Sequence, residues 1–342
     1  VVPDRYKNLG LSPLDEYFAA ARGYQGEKGD VKALAMKKWF NTNYHYMVPE
    51  IDDNTVLKLS DNKPFELFTE ALDNGVKTTP VIIGPYTFLE LARYIGTKTK
   101  ENFFGNITDA YIQIISKFVT LGAEWLQLDE PCLVKDMSRE DIEFFNSLYT
   151  KILENKNGLK IRLQTYFGDV RDCYKEICAL DFDGIGLDFI EGKKTHELIE
   201  KNGFPCDKVL FAGMVNGKNI WRNNYEKTVE LLKNLQNKSI NTVINTSCSL
   251  LHIPYTLKNE VKLSDTYKKH FSYASEKLVE LNEIKKIIET EDYCNLPEYT
   301  ANIKRFSEER SGCNTNVKEK VNALSEKDFT RLPVFSEREK IQ

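Results

Sequence analysis

The sequence lacks the marks of several functional classes. No apolar run approaches the ~20 residues that a membrane-spanning helix needs, so no membrane partner is expected. The opening residues, VVPDRYK, hold no hydrophobic signal core, and a cytoplasmic location is the expectation. Basic excess is missing: 47 Lys and Arg stand against 51 Asp and Glu, leaving a formal charge of -4 and no broad basic face for nucleic acid. Seven cysteines are scattered (Cys132, Cys173, Cys178, Cys206, Cys248, Cys294 and Cys313) with no Cys-x-x-Cys pair, so no disulfide framework is visible and reduced thiols are expected. No strand pattern runs into Gly-x-Gly-x-x-Gly, and Gly-x-x-x-x-Gly-Lys-Ser/Thr is absent, which argues against the phosphate-cradling nucleotide folds. There is no solenoid-length repeat and no low-complexity tract.

What is present is an alternation of strand and helix. The 342 residues are 41% hydrophobic and 29% charged, an ordinary globular balance with room for one large domain or two smaller ones. LSPLDEYFAAARG reads as a short helix, with Ser12 as cap, Pro13 in the first turn and Gly23 as stop. Residues 39–46 read as a strand by alternation, PFELFTEALDNG as a helix, and TTPVIIGP as a buried β-branched strand. In NITDAYIQIISKFVTLG one helical stripe carries Ile107, Tyr111, Ile114, Ile115 and Phe118. AEWLQLDEP is the next strand, and Ser138 with Asp141 forms a capping-box pattern before IEFFNSLYTKIL. Strands follow in LKIRLQTYFG, FDGIGLDFI, KVLFAGMVNG and INTVINTSCSLLHIP, separated by helices, and SYASEKLVELNEIKKII is a long closing helix. Seven strands, most followed by a helix, imply parallel strands with helical crossovers. The repeated polar loading of strand ends favours an α/β fold of (β/α)8 TIM-barrel type over a doubly wound sheet. Eight strands are needed, so the first β-α unit is expected to lie upstream of Val1, leaving unpaired strand edges that invite association. The domain reading is a barrel over residues 1–295 and a helical tail and linker over 296–342, with FTRLPVFSEREKIQ as a surface helix or linker.

The strand ends carry the candidate chemistry. Asp129 and Glu130 in DEP could hold a cation or act as acid and base, or one could cap a helix. Tyr166 and Phe167 could stack on a planar ligand or pack in the core. Asp188 and Glu191, and the loop with Asn216, Lys218, Asn219 and Trp221, read individually as structural. Cys248 and His252 stand four apart, but on a strand-to-loop segment and without further ligands, so neither a metal site nor a Cys-His nucleophile is expected. KKWFNTNYHYMVPE is the strongest candidate for ligand contact: as a strand it places Asn41, Asn43 and His45 on one inward face, with Lys37 and Lys38 preceding.

Taken in order, KKWFNTNYHYMVPE, VIIGPYTFL, WLQLDEP, TYFGDV, GLDF, GMVNGKNIW and TSCSLLHIP resemble the N-terminal half of the cobalamin-independent methionine synthases, the 5-methyltetrahydropteroyltriglutamate–homocysteine methyltransferases. The resemblance runs from Pro3 into the C-terminal tail. It implies two related barrels, the second holding a zinc ion that activates homocysteine. In this chain Tyr166 and Phe167 stand where that barrel has metal ligands, and Cys248 matches its last Cys ligand without companions. The implied role is therefore non-catalytic and without a bound cofactor: zinc belongs to a C-terminal catalytic barrel not contained in these residues. By the same resemblance Lys38 meets the glutamate tail of 5-methyltetrahydropteroyltri-L-glutamate, and Asn43 the folate; His45 is expected as a hydrogen-bonded interior residue. An ammonium suits a carboxylate, and an amide both donates and accepts. The family's basic N-terminal segment, which supplies the first strand and further tail contacts, is not in the sequence. Two rivals stand beside this reading: a free-standing barrel enzyme related to uroporphyrinogen decarboxylase, against which the strand ends lack an Arg cluster, and a purely structural barrel.

Overall fold

The computed structural model describes residues 2–308, 314–330 and 339–340. Two helices open the chain, α1 (Asp4–Lys7) and α2 (Pro13–Arg22). Ser12 caps α2 by accepting from the Asp15 amide, and Gly23 ends it at a φ of 81°, as the sequence predicts. Four short strands follow as two antiparallel hairpins: β1 (Tyr24–Gly26) with β2 (Gly29–Val31), and β3 (Met36–Lys38) with β4 (His45–Met47). Next come β5 (Glu50–Asp52), α3 (Lys63–Asp73), β6 (Val81–Ile83), α4 (Pro85–Leu91) and β7 (Arg93–Ile95), with β5 and β7 paired in parallel. The regular alternation then runs α5 (Phe104–Thr120), β8 (Trp125–Asp129), α6 (Arg139–Leu153), β9 (Lys160–Gln164), α7 (Tyr174–Ala179), β10 (Gly184–Asp188), α8 (Thr195–Asn202), β11 (Val209–Val215), α9 (Tyr225–Asn237) and β12 (Thr242–Thr246). After β12 come α10 (Asp265–Lys268), α11 (Ala274–Glu289) and α12 (Pro297–Ser307), then two short helices, α13 (Thr315–Asn322) and α14 (Glu326–Phe329).

Six parallel strands form one sheet in the order β12-β11-β10-β9-β8-β6. Apart from the β6–β8 neighbours, this is chain order reversed, the progression expected of a (β/α)8-type barrel. The fold is α/β, with a parallel sheet resembling such a barrel. Six of the seven expected strands lie in this sheet, and among the described residues the outer edges of β6 and β12 pair with no other strand.

The seventh expectation fails. Residues 39–46 are not a strand of the six-stranded sheet: residues 39–44 form the turn of the β3–β4 hairpin, and residues 45–46 begin β4. The buried Thr42 hydroxyl donates to the Trp39 carbonyl at 2.7 Å and accepts the Tyr44 amide at 3.2 Å, closing the reversal. Phe40 takes a left-handed φ of 50° within it. Local Thr and Asn turn chemistry thus overrides the polar–aromatic alternation.

The core lies between the sheet and its helices. Leu126 and Leu128, Ile161 and Leu163, Ile185 and Leu187, and Leu210 and Ala212 point from successive strands into it, against Phe118, Phe145, Tyr149, Ile177 and Leu232. The predicted stripe of α5 is buried as a unit, and Ser138 with Asp141 makes the predicted capping box on α6. The opposite, concave face is different in character. It carries Trp125, Gln127, Asp129, Arg162 and Phe211, with the Arg162 guanidinium 3.9 Å from the Phe211 ring centroid. Helix α12 docks on α9: Asn302 accepts the Tyr225 amide at 3.0 Å and donates to the Asn223 carbonyl at 3.0 Å. The expected tail element FTRLPVFSEREKIQ lies mostly outside the described residues.

Candidate functional site

The C-terminal ends of the sheet strands gather polar groups, and the β3–β4 hairpin tip lies across three of the loops that follow them. Two carboxylates end β8, and their surroundings separate their roles. Glu130 is fully buried and accepts from the Tyr86 and Thr87 amides at 2.9 and 2.6 Å and from the Tyr149 hydroxyl at 2.6 Å. It anchors the first turn of α4, the capping alternative for DEP. Burial pushes its carboxyl up to about 7, against the pull of those donors. Asp129 faces the concave side, held by Gln127 at 2.7 Å and the Tyr166 hydroxyl at 3.1 Å. Burial lifts it to about 6 and lowers the neighbouring Arg162 to about 10.

Asp188, at the end of β10, organises two loops at once. One oxygen accepts the Phe167 amide at 2.9 Å; the other accepts the Ile190 and Glu191 amides at 2.7 and 2.9 Å. Burial raises its carboxyl to about 6, opposed by these three donors. Phe167 is thereby fixed at a φ of 73°, a left-handed conformation costly for a non-glycine residue. Its ring centroid lies 5.8 Å from that of Phe40, the other strained aromatic, and 5.8 Å from the His252 ring. Two glycines permit the close approach of the last loops: a Cβ on Gly217 would sit 2.3 Å from the Cys248 carbonyl oxygen, and one on Gly213 2.8 Å from the Ser247 Cα.

Two hydrogen bonds latch the hairpin tip onto this platform. Asn41 donates to Glu191 at 3.0 Å, and the Tyr44 hydroxyl donates to the Leu251 carbonyl at 2.8 Å. Tyr44 also meets the His252 ring edge-on at 5.4 Å. Lys218, from the loop after β11, pairs with Glu191 at 2.5 Å and lies 5.1 Å from the Phe167 ring centroid. Lys38 and Asn43 are both exposed, Lys38 on β3 opposite His45 and Asn43 in the turn. His45 is exposed as well; the expectation of an interior, hydrogen-bonded histidine is corrected, because the hairpin carries it away from the sheet. The imagined inward row of Asn41, Asn43 and His45 is likewise dispersed: of the three, Asn41 reaches a strand-end loop.

Cys248 and His252 do not make a metal centre. Among the described residues no three of His, Cys, Asp and Glu gather as cation ligands. Burial pushes the Cys248 thiol up to about 12, so it stays protonated, while burial and the Lys218 charge lower His252. Cys248 and His252 by themselves do not supply the four donors that a structural zinc ion takes.

Reading by alternation missed the Asn41–Glu191 latch, which depends on the hairpin, and passed over Arg162 in KIRLQ. A charged residue inside a strand pattern was the available signal for the latter.

Comparison with known proteins converges on one family. Residues 1–240 match the model described as "Cobalamin-independent synthase, N-terminal domain". A curated 5-methyltetrahydropteroyltriglutamate–homocysteine methyltransferase of Lactococcus lactis subsp. lactis (strain IL1403) is 53% identical over 337 residues, covering 98% of this chain and 44% of that protein. The protein of the same name from Streptococcus thermophilus (strain ATCC BAA-491 / LMD-9) is 50% identical over 342 residues, covering 100% of the chain and 45% of the relative. The chain therefore spans less than half the length of these relatives. Among solved structures, the B12-independent methionine synthase of Shewanella sp. W3-18-1 superposes with a TM-score of 0.55 over 74% of each chain at 14% identity, a likeness of fold. With the domain model covering most of the residues and relatives at half identity along the whole of them, this chain belongs to the cobalamin-independent methionine synthase family, as its N-terminal domain.

Proposed function

We propose that this chain binds 5-methyltetrahydropteroyltri-L-glutamate within a methyltransferase that passes the methyl group to L-homocysteine to give methionine. The tail carboxylates meet Lys38, and the folate meets Asn43. Residues 1–295 form the binding unit, and residues 296–342 lead toward a second barrel of the same polypeptide, onto which this one docks. The attack by the homocysteine thiol and its zinc belong to that second barrel; this chain contributes binding and orientation. The observation that carries the reading is the hairpin laid across the strand ends, with Lys38 and Asn43 both open to solvent on the hairpin whose Phe40 meets Phe167. The names borne by relatives at half identity support the same ligand.

The test is titration of the intact protein with the triglutamate folate. Hydrogen bonds to charged groups are worth about 1.5–3 kcal/mol, so Lys38→Ala should weaken binding about tenfold or more. Asn43→Ala should weaken it several-fold. Unchanged affinity in both variants refutes the binding role. Methionine formation by residues 1–342 alone at an ordinary enzyme rate refutes the non-catalytic one.

A further inference from the structure

Lys218 occupies a place that the reading above leaves unexplained. It belongs to the loop after β11 and meets the hairpin tip through Glu191, which Asn41 also contacts. Its ammonium ends at Glu191, over the Phe167 ring, in a cluster that also holds the half-buried His252. The Nδ1 atom of His252 is buried there with no hydrogen-bond partner. Glu191 is shared: one oxygen takes Lys218 and the other takes the Asn41 amide. Asn41 is three residues along the chain from Lys38, so the two lysines lie at either end of a short relay, Lys38 to Asn41 to Glu191 to Lys218. The relay spans no more than about three extended residues plus two side chains, a separation that a chain of several carboxylates can bridge.

The Lys218–Glu191 pair is about a quarter exposed at each partner, 24% and 25%. An ion pair in that setting is weakly held, since its Coulomb gain is largely offset by solvation and side-chain entropy. A second carboxylate arriving at Lys218 exchanges one anion for another at small cost. The exchange also removes the counter-charge from Glu191 and leaves both hairpin latches, Asn41 to Glu191 and Tyr44 to Leu251, in place.

We propose that Lys218 is a second contact for a polycarboxylate ligand tail and that Glu191 is a positioning residue which holds Lys218 and the hairpin tip and yields Lys218 to a ligand carboxylate. The proposal rests on the reading that this chain binds the glutamate tail of the folate. It makes tail length, and not the folate head, the quantity that Lys218 senses.

The experiment compares mono- and triglutamate forms of 5-methyltetrahydrofolate by calorimetric titration of the intact protein. Lys218→Met should weaken the triglutamate about tenfold and the monoglutamate less than twofold, and Lys218→Arg should restore most of the loss. Glu191→Gln keeps an acceptor for Asn41 and removes the competing charge, so it should tighten the triglutamate about threefold and leave the monoglutamate unchanged. Equal effects of Lys218→Met on the two forms, or no effect on either, overturn the proposal, as does weaker triglutamate binding in Glu191→Gln. Lys38→Ala serves as the separate control. If it abolishes the tail-length preference while the Lys218 and Glu191 variants leave it intact, the tail-binding reading stands and this inference falls. If Lys218→Met abolishes the preference and Lys38→Ala does not, this inference stands and the role of Lys38 falls.

Discussion

Gly84 gives the sharpest stability prediction, because a single methyl group there meets a fully buried carboxylate that holds three donors. A Cβ at position 84 would lie 2.1 Å from Glu130 Oε1, 2.2 Å from its Cδ and 2.5 Å from its Cγ. Glu130 has no room to retreat: it is fully buried and holds the Tyr86 and Thr87 amides and the Tyr149 hydroxyl. Gly84→Ala must therefore move the carboxylate off at least two of three donors. Above about pH 7, where Glu130 is ionised, each hydrogen bond to it contributes about 1.5–3 kcal/mol, and the donors left behind are buried, so the expected loss is about 4 kcal/mol. In equilibrium urea unfolding this lowers the midpoint by about 1 M or more with little change in slope. Gly105 supplies the matched control. It lies in the first turn of α5 with nothing within 4 Å of a Cβ. Gly105→Ala should raise stability, by roughly 0.5 kcal/mol, through helix propensity. If Gly84→Ala costs less than about 1 kcal/mol, the anchoring role assigned to Glu130 is wrong.

Glu130 also sets a pH dependence with an unusual sign. Its folded pKa, about 7, lies above the ordinary 4.5, so between these values the native state holds a proton that the unfolded chain has released. That contribution is full below 4.5 and is lost as pH rises toward 7, at about 1.4 kcal/mol per pH unit, or about 3 kcal/mol across the interval. Glu130→Gln should remove this slope while costing about 1–3 kcal/mol at low pH through one mismatched amide; parallel stability–pH curves for variant and parent would exclude the assignment. Tyr149→Phe deletes one donor to the same carboxylate and should cost about 1.5–3 kcal/mol, read by the same unfolding assay. Asp188→Asn preserves one side of its three-amide clasp and mismatches the Phe167 amide, so it should cost about 1–3 kcal/mol and speed amide exchange at Phe167; unchanged exchange there contradicts the clasp.

The sheet was legible because its strands are short apolar-rich runs bounded by helix and turn signals, and GIGLD is buried throughout; β6, expected to be buried, is instead an edge strand with Val81 and Ile83 exposed. Caps were legible for the same local reason: Ser12, Ser138 and Gly23 act within a turn of their own position. The hairpin was not, although its signal was there. Asn41, Thr42 and Asn43 are turn formers, and Thr42 closes the turn it sits in, but the alternation of polar and aromatic residues mimics a strand. Strands β5 and β7 escaped notice because their pairing joins segments some forty residues apart with no periodicity of their own. The site was legible in its parts and not in its assembly. Lys38 and Asn43 came from resemblance; Asn41, Glu191 and Lys218 become a unit through contacts 150 and 27 positions apart in sequence, which spacing cannot supply.

Lysine footprinting of the intact protein tests the central claim most directly. Lys37 and Lys38 are neighbours on β3, both exposed, with side chains directed to opposite faces of the hairpin. If Lys38 receives the glutamate tail, saturating triglutamate folate should slow acylation of Lys38 at least tenfold while Lys37 reacts at its free rate, and the monoglutamate should protect neither. Equal reactivity of Lys38 with and without the triglutamate contradicts the account.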